Sequence, residues 1–177
     1  MDVAISGSSG LIGGALARDL ERRGHRVVRV VRPETQDRGG DTLTWEPTTG
    51  QIDTAGFEGL DAVVHLAGVG IGDRRWTESR KREILRSRTE GTGLLATTLA
   101  ALSRPPATFV VGSATGFYGE GGDRELTEDS PAGTGFRAEV CVAWRRRLAL
   151  PPRPASERCC FDRRTSSPPT GGSCRSC

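Results

Sequence analysis

Residues 6–13 read Ser6-Gly7-Ser8-Ser9-Gly10-Leu11-Ile12-Gly13, and the spacing of the three glycines decides how the rest of the chain is read. Glycines three apart suit a tight turn, a close approach of backbone to a pyrophosphate, and close packing of a following helix on a sheet. A glycine-rich turn by itself is an ordinary loop. Here it follows a β-prone run, DVAIS (2–6), and opens LIGGALARDLERRG (11–24), where Ile12, Leu16 and Leu20 recur every fourth residue with Leu11 and Ala15 alongside. That recurrence is the apolar stripe of a helix, and Gly24 stands where a helix C-terminus needs positive φ. Strand, glycine turn and helix together are the context a dinucleotide cradle requires. Gly7, Ser8, Ser9, Gly10, Leu11, Ile12 and Gly13 are therefore candidate cofactor-binding residues.

Downstream, HRVVRVVRP (25–33) is a second β-rich run, stopped by Pro33. A carboxylate at the end of this strand would accept ribose hydroxyls, whereas an arginine suits a 2′-phosphate. The strand ends Arg29-Val30-Val31-Arg32, with no carboxylate until Glu34. NADP is favoured over NAD, and Arg32, at the carboxyl end, is the better phosphate candidate. The alternative is that Arg29 and Arg32 are solvated charges. TLTWE (42–46) is a possible strand followed by a turn at Thr49-Gly50, and DAVVHLAG (61–68) is a clear one, apolar enough for burial on both faces. Helical periodicity returns from about Arg80 to Leu102 and is closed by Pro105-Pro106, after which ATFVVGS (107–113) forms a further strand. This alternation predicts an α/β fold with a Rossmann-type, doubly wound parallel sheet. No internal repeat is present.

Composition divides the chain in two. The 177 residues carry a net charge of +3 and are enough for one domain with a core. Residues 145–177 hold eight arginines against Glu157 and Asp162, so residues 1–144 are mildly acidic. Cys159, Cys160, Cys174, Cys177 and five of the ten prolines lie in the same tail. No apolar run reaches the roughly 18 residues of a membrane span, and the N-terminus lacks the basic and apolar regions of a signal peptide, which leads to the expectation of a cytoplasmic protein.

With GSSGLIG in front, DAVVHLAG in the middle and GSATGFYGEGGDRELTEDSP further on, the chain resembles the extended and atypical short-chain dehydrogenase/reductases, and within them an epimerase-family subgroup. The segment RRWTESRKREILRSRTEGT matches that subgroup, and the resemblance covers residues 1 to about 144. It implies a Rossmann domain in which Leu66, Ala67 and Gly68 border the cofactor and Ser113 polarises a substrate carbonyl. The superfamily's chemistry is hydride transfer at a carbinol carbon, assisted by a Tyr-x-x-x-Lys pair a little over twenty residues beyond the serine. Those positions hold Phe136 and Val140, which supply neither proton nor charge. Tyr118 is the nearest phenol; at this position the resemblance implies a residue lining the substrate site, and the other reading is a structural tyrosine. His65, inside an apolar strand, reads as a core histidine with one satisfied nitrogen rather than a base.

Beyond Trp144 relatives continue as a helix, a strand and a segment like LSPxGGxLxK. This chain instead shows proline, arginine and cysteine without period. A G/C-rich coding stretch for SPDGGVLSKL, read one base later, yields PPTGGSCRSC, which is residues 168–177. Residues 145–177 are therefore read as an irregular basic tail derived from a frameshift, the alternative being a disordered basic tail, and the Rossmann sheet as incomplete at its C-terminus. The tail's cysteine spacing does not suit a closed zinc site, no helix follows to activate a redox Cys-x-x-Cys, and no metal is expected. Its arginines lack the interleaved aromatics of a nucleic-acid binder, Phe161 apart. The expected function is an NADP-binding epimerase or oxidoreductase-like protein for a nucleotide sugar or small carbonyl compound, inactive in this truncated form. Small-molecule substrate, no nucleic acid, no membrane and a possible homodimer through the 80–102 helix complete that expectation. The alternatives are a non-catalytic NADPH-binding sensor or scaffold and a basic interaction module centred on the tail.

Overall fold

The computed structural model describes residues 1–35 and 40–148. The frameshift reading, with the four tail cysteines, falls outside the described residues. Among the described residues, six strands form one sheet: β1 (Asp2–Ser6), β2 (Arg26–Val31), β3 (Thr42–Glu46), β4 (Gln51–Ile52), β5 (Ala62–His65) and β6 (Thr108–Val111). Their order is β4-β3-β2-β1-β5-β6. Every pairing is parallel except β3 with β4, a short hairpin turned at Gly50 with φ +75°. Chain order reverses between β1 and β5, and the crevice at such a switch point is where open α/β sheets bind ligands.

Among the described residues, three α-helices accompany the sheet: α1 (Leu11–Arg22), α2 (Glu78–Ala101) and α3 (Phe136–Arg146). Helix α1 ends as its sequence predicts: Gly24, at φ +79°, donates to Glu21 O, and His25 N–H reaches back to Leu20 O. These two bonds form a Schellman cap. The face of α1 differs from the predicted one. Gly13 and Ala17 are buried and Leu16 and Leu20 pack partly, while Leu11 and Ile12 are 91% and 69% exposed.

Helix α2 is capped by Thr77, whose Oγ1 accepts the Arg80 N–H at 3.2 Å. Its C-terminal half buries Leu95 and Leu99 against Val28, Val30, Trp45 and Val63, forming the larger core. The opposite face of the sheet makes a smaller core of Val3, Ile5, Ala17 and Val27 under α1. Gly91 lets α2 approach closely, because a Cβ there would come within 3.0 Å of the Trp45 ring. β5 is shorter than predicted and ends at His65, so that Leu66, Ala67 and Gly68 form the turn leaving the sheet. Helix α3 is an addition to the predicted elements, although Ala138, Cys141 and Trp144 recur every three residues and all are buried. It docks on α2 through a buried hydrogen bond from Trp144 Nε1 to Thr92 Oγ1 at 2.6 Å.

Candidate functional site

The glycine turn is a cradle built from backbone. Gly7 adopts φ +74°, and a Cβ on it would lie 2.7 Å from the Ala67 nitrogen. A Cβ on Gly13 would overlap the Gly7 carbonyl, so helix and turn touch only because both positions lack side chains. Gly10 caps α1 with extended backbone and has no side chain to occupy the first-turn donors. The first helical bond within α1 is Gly14 N–H to Gly10 O at 2.8 Å. The N–H groups of Leu11, Ile12 and Gly13 thus have no acceptor among the described residues, and an anion at this helix end would take them.

Beside the cradle opens a cleft of about 740 Å³. Gly7, Ser8 and Ser9 form its floor, with Ala67, Gly68 and Val69 of the turn after β5. One wall is the end of β2 and its neighbour β3: Arg29 to Pro33, Thr42, Thr44 and Trp45. The other wall is the N-terminal half of α2: Ser79, Arg82, Glu83, Arg86, Ser87 and Glu90. Those positions are spaced three and four apart and so share one face of the helix. The sequence reading missed this polar stripe, although its signal is present in RRWTESRKREILRSRTEGT, where the apolar period of the same helix stands out more strongly.

The cations of the cleft differ in how they are already engaged. Arg29 is held by Glu21 at 2.6 Å, and Arg86 by Glu90 at 2.7 Å. Arg32 stands 3.9 Å from Glu34, too long for a hydrogen-bonded pair. Arg82 forms no ion pair within 4.0 Å among the described residues. Glu46 lies near this wall, its carboxyl held below the usual range chiefly by the Thr48 hydroxyl and amide, with Arg32 adding to the effect.

The turn after β5 is fastened to α2. Val69 N–H donates to Ser87 Oγ at 3.2 Å, and Val69 O accepts from Arg88 at 3.1 Å. Arg80 extends the same fastening, donating to Gly70 O at 2.7 Å while pairing with Glu83 at 2.8 Å. The Arg88 guanidinium lies 5.5 Å over the Trp144 ring, and burial pulls it below its usual pKa.

Of the predicted site residues, Gly7, Ser8, Ser9, Arg32, Ala67 and Gly68 line this one cleft, while Gly10, Leu11, Ile12 and Gly13 form the adjacent helix end. Leu66 lies between cradle and rim: its carbonyl carbon is 2.8 Å from where a Gly7 Cβ would be, and its side chain abuts Gly112. Ser113 follows Gly112 at the end of β6, is exposed, and its Oγ accepts from Arg145 Nε at 3.2 Å. The same guanidinium stacks 3.7 Å over Phe117, whose ring meets the half-buried Tyr118 edge-on at 5.2 Å. Ser113 and Tyr118 are thus connected through Arg145 and Phe117 rather than by direct contact.

Phe136 packs edge-on against Trp76 at 5.3 Å beneath Lys81, and Val140 is buried in α3. Neither offers a proton. Cys141 is also buried, and burial is the main cause that pushes its thiol up. His65 is fully buried, with Nδ1 bonded to Ser6 Oγ at 2.6 Å and Nε2 without a partner. Burial lowers its pKa to about 4, so it is a neutral core residue at physiological pH. Among the described residues, no group of three or more His, Cys, Asp or Glu could hold a metal, and no helix is long and apolar enough to cross a membrane.

Comparison with known proteins agrees with this geometry. An epimerase family protein of Mycobacterium leprae is 42% identical over 142 residues, which cover 80% of this chain and 45% of that protein. The crystal structure of human epimerase family protein SDR39U1 with NADPH superposes with a TM-score of 0.73 at 33% identity, over 86% of this chain and 50% of that one. A nucleoside-diphosphate sugar epimerase from Corynebacterium glutamicum gives a TM-score of 0.70 at 37% identity, over 84% of this chain and 30% of that one. The chain thus spans about half, or less, of the length of the proteins it matches. The model of the NAD dependent epimerase/dehydratase family matches residues 3–137, and with the cradle, the sheet order and these relatives in agreement, the chain belongs to that family, on the short-chain dehydrogenase/reductase fold.

Proposed function

We propose that this chain is an NADP-binding, epimerase- or oxidoreductase-like protein whose substrate is a nucleotide sugar or another small carbonyl compound. The observation that carries the reading is Arg32: it faces the cleft from the carboxyl end of β2, where NAD-binding relatives of this fold place a carboxylate, and its contact to Glu34 is stretched. The crystal structure of the human relative with NADPH supports the same choice. The residues fit the group: the bare cradle at Gly7 and Gly13 admits a pyrophosphate, and the free N–H groups of Leu11, Ile12 and Gly13 neutralise it. When bound, the nicotinamide supplies hydride chemistry at a carbinol or carbonyl carbon. In this reading Ser113 polarises the substrate carbonyl with its hydroxyl proton, left free because its oxygen accepts from Arg145, and Tyr118 lines the substrate site. Titration calorimetry with NADPH and NADH on this chain tests the cofactor assignment; tighter binding of NADPH is expected, and equal or absent binding of both would reject it.

A second reading, a non-catalytic NADPH sensor or scaffold, is favoured by Phe136 and Val140. Both sit in apolar packing where an acid-base pair would stand. NADPH consumption across a panel of carbonyl compounds and nucleotide sugars separates the two, since turnover with any substrate removes the sensor. Pairing of two copies through α2 is part of the proposal, and sedimentation of a monomer alone at high concentration would exclude it.

A further inference from the structure

The cleft has two walls, and the proposed phosphate ligand Arg32 lies on only one of them. On the other, Ser79, Arg82, Glu83, Arg86, Ser87 and Glu90 turn one face of α2 towards it. The ions of that face are mostly engaged with each other or with neighbours: Glu83 takes Arg80 at 2.8 Å and Arg86 takes Glu90 at 2.7 Å. Arg82 is different, because no carboxylate among the described residues lies within 4.0 Å of it, although Glu78 one turn back feels its charge. Arg32, which lines the same cleft, has the same character, with its nearest carboxylate at 3.9 Å and Glu46 also feeling its charge. Two arginines with unspent donors therefore line one cleft, which is continuous with the cradle at Gly7, Ser8 and Ser9.

A dianion held in this cleft would draw on both cations, and an arginine's planar donors match a phosphate two at a time. We propose that Arg82, from helix α2, is a second specificity-determining residue for the 2′-phosphate and shares it with Arg32. This inference rests on the NADP reading above and adds to it a ligand from a helix that the glycine turn and the strand end do not reveal. Helix α2 then serves both fold and site, with its C-terminal half in the core and its N-terminal half reading the cofactor.

The test is calorimetric titration of NADPH and NADH into the full chain and into Arg82→Gln, Arg82→Lys and Arg32→Gln, with a melting curve for each variant. Wild type is expected to prefer NADPH. Arg82→Gln should cut that preference by about tenfold or more, the size of one charge-assisted hydrogen bond, with NADH binding unchanged. Arg82→Lys, which keeps the charge but loses the planar fork, should recover part of it. If wild type prefers NADPH and Arg82→Gln leaves the preference intact, the Arg82 assignment falls while the cofactor reading stands. Equal weakening of both nucleotides would also overturn it, placing Arg82 on the adenine or in the structure. If wild type shows no preference for NADPH, the cofactor reading fails and this inference fails with it.

Discussion

Gly7 meets two requirements at once: positive φ, and an approach to Ala67 that a single methyl group would block. Gly7→Ala is expected to cost about 1–3 kcal/mol, from backbone strain and overlap together, and to abolish nucleotide binding. Thermal unfolding with and without NADPH checks both parts. His65 carries a different prediction. Its native pKa is lowered from 6.5 to about 4 by burial, so between those values the unfolded chain takes up a proton that the folded chain refuses. Stability from this residue is therefore complete above pH 6.5 and is lost as pH falls towards 4, by at most about 3 kcal/mol. Urea unfolding of wild type and His65→Leu across that window reads it: the variant should have the shallower acid slope, and matching slopes would remove His65 as the cause.

At the scale of elements, the docking of α3 on α2 depends on the Trp144–Thr92 hydrogen bond at 2.6 Å, made between buried groups. Trp144→Phe keeps most of the apolar area but strands the Thr92 hydroxyl, at an expected cost of about 1–3 kcal/mol. Denaturant midpoints measure it, and the double variant with Thr92→Val should recover part of the loss because both polar groups are then gone. The start of α2 is governed by Thr77. Thr77→Ala should cost about 1 kcal/mol and loosen the 69–76 turn held by Arg80, Ser87 and Trp76. Amide exchange at Val69 and Thr77 would report that loosening ahead of global unfolding.

For the whole molecule, a nucleotide that binds the folded cleft stabilises the chain by mass action. NADPH at a hundred times its dissociation constant should add about 2.7 kcal/mol and raise the unfolding midpoint, with NADH giving a smaller shift at the same concentration. Differential scanning calorimetry compares the two. The residue pattern determined much of this molecule unaided: the cradle after β1, the end of α1 at Gly24, the arginine at the end of β2 and the long helix closing before Pro105. Each is encoded locally, in glycine's backbone freedom or in apolar periodicity. Only the tertiary structure decided the rest. Leu11 and Ile12 are exposed because the face of α1 that is buried runs through Gly13 and Ala17, although periodicity placed both with the stripe. The neutral state of His65 follows from burial between Trp45, Ser6 and Gly91, residues far from it in the chain. Phe136 rests on Trp76, and Arg32 after β2 and Arg82 of α2 line one cleft although they are distant in sequence. Periodicity shows which face of a helix is apolar, but what that face or its opposite meets is set by contacts between residues distant in sequence, and the cleft is made of such contacts.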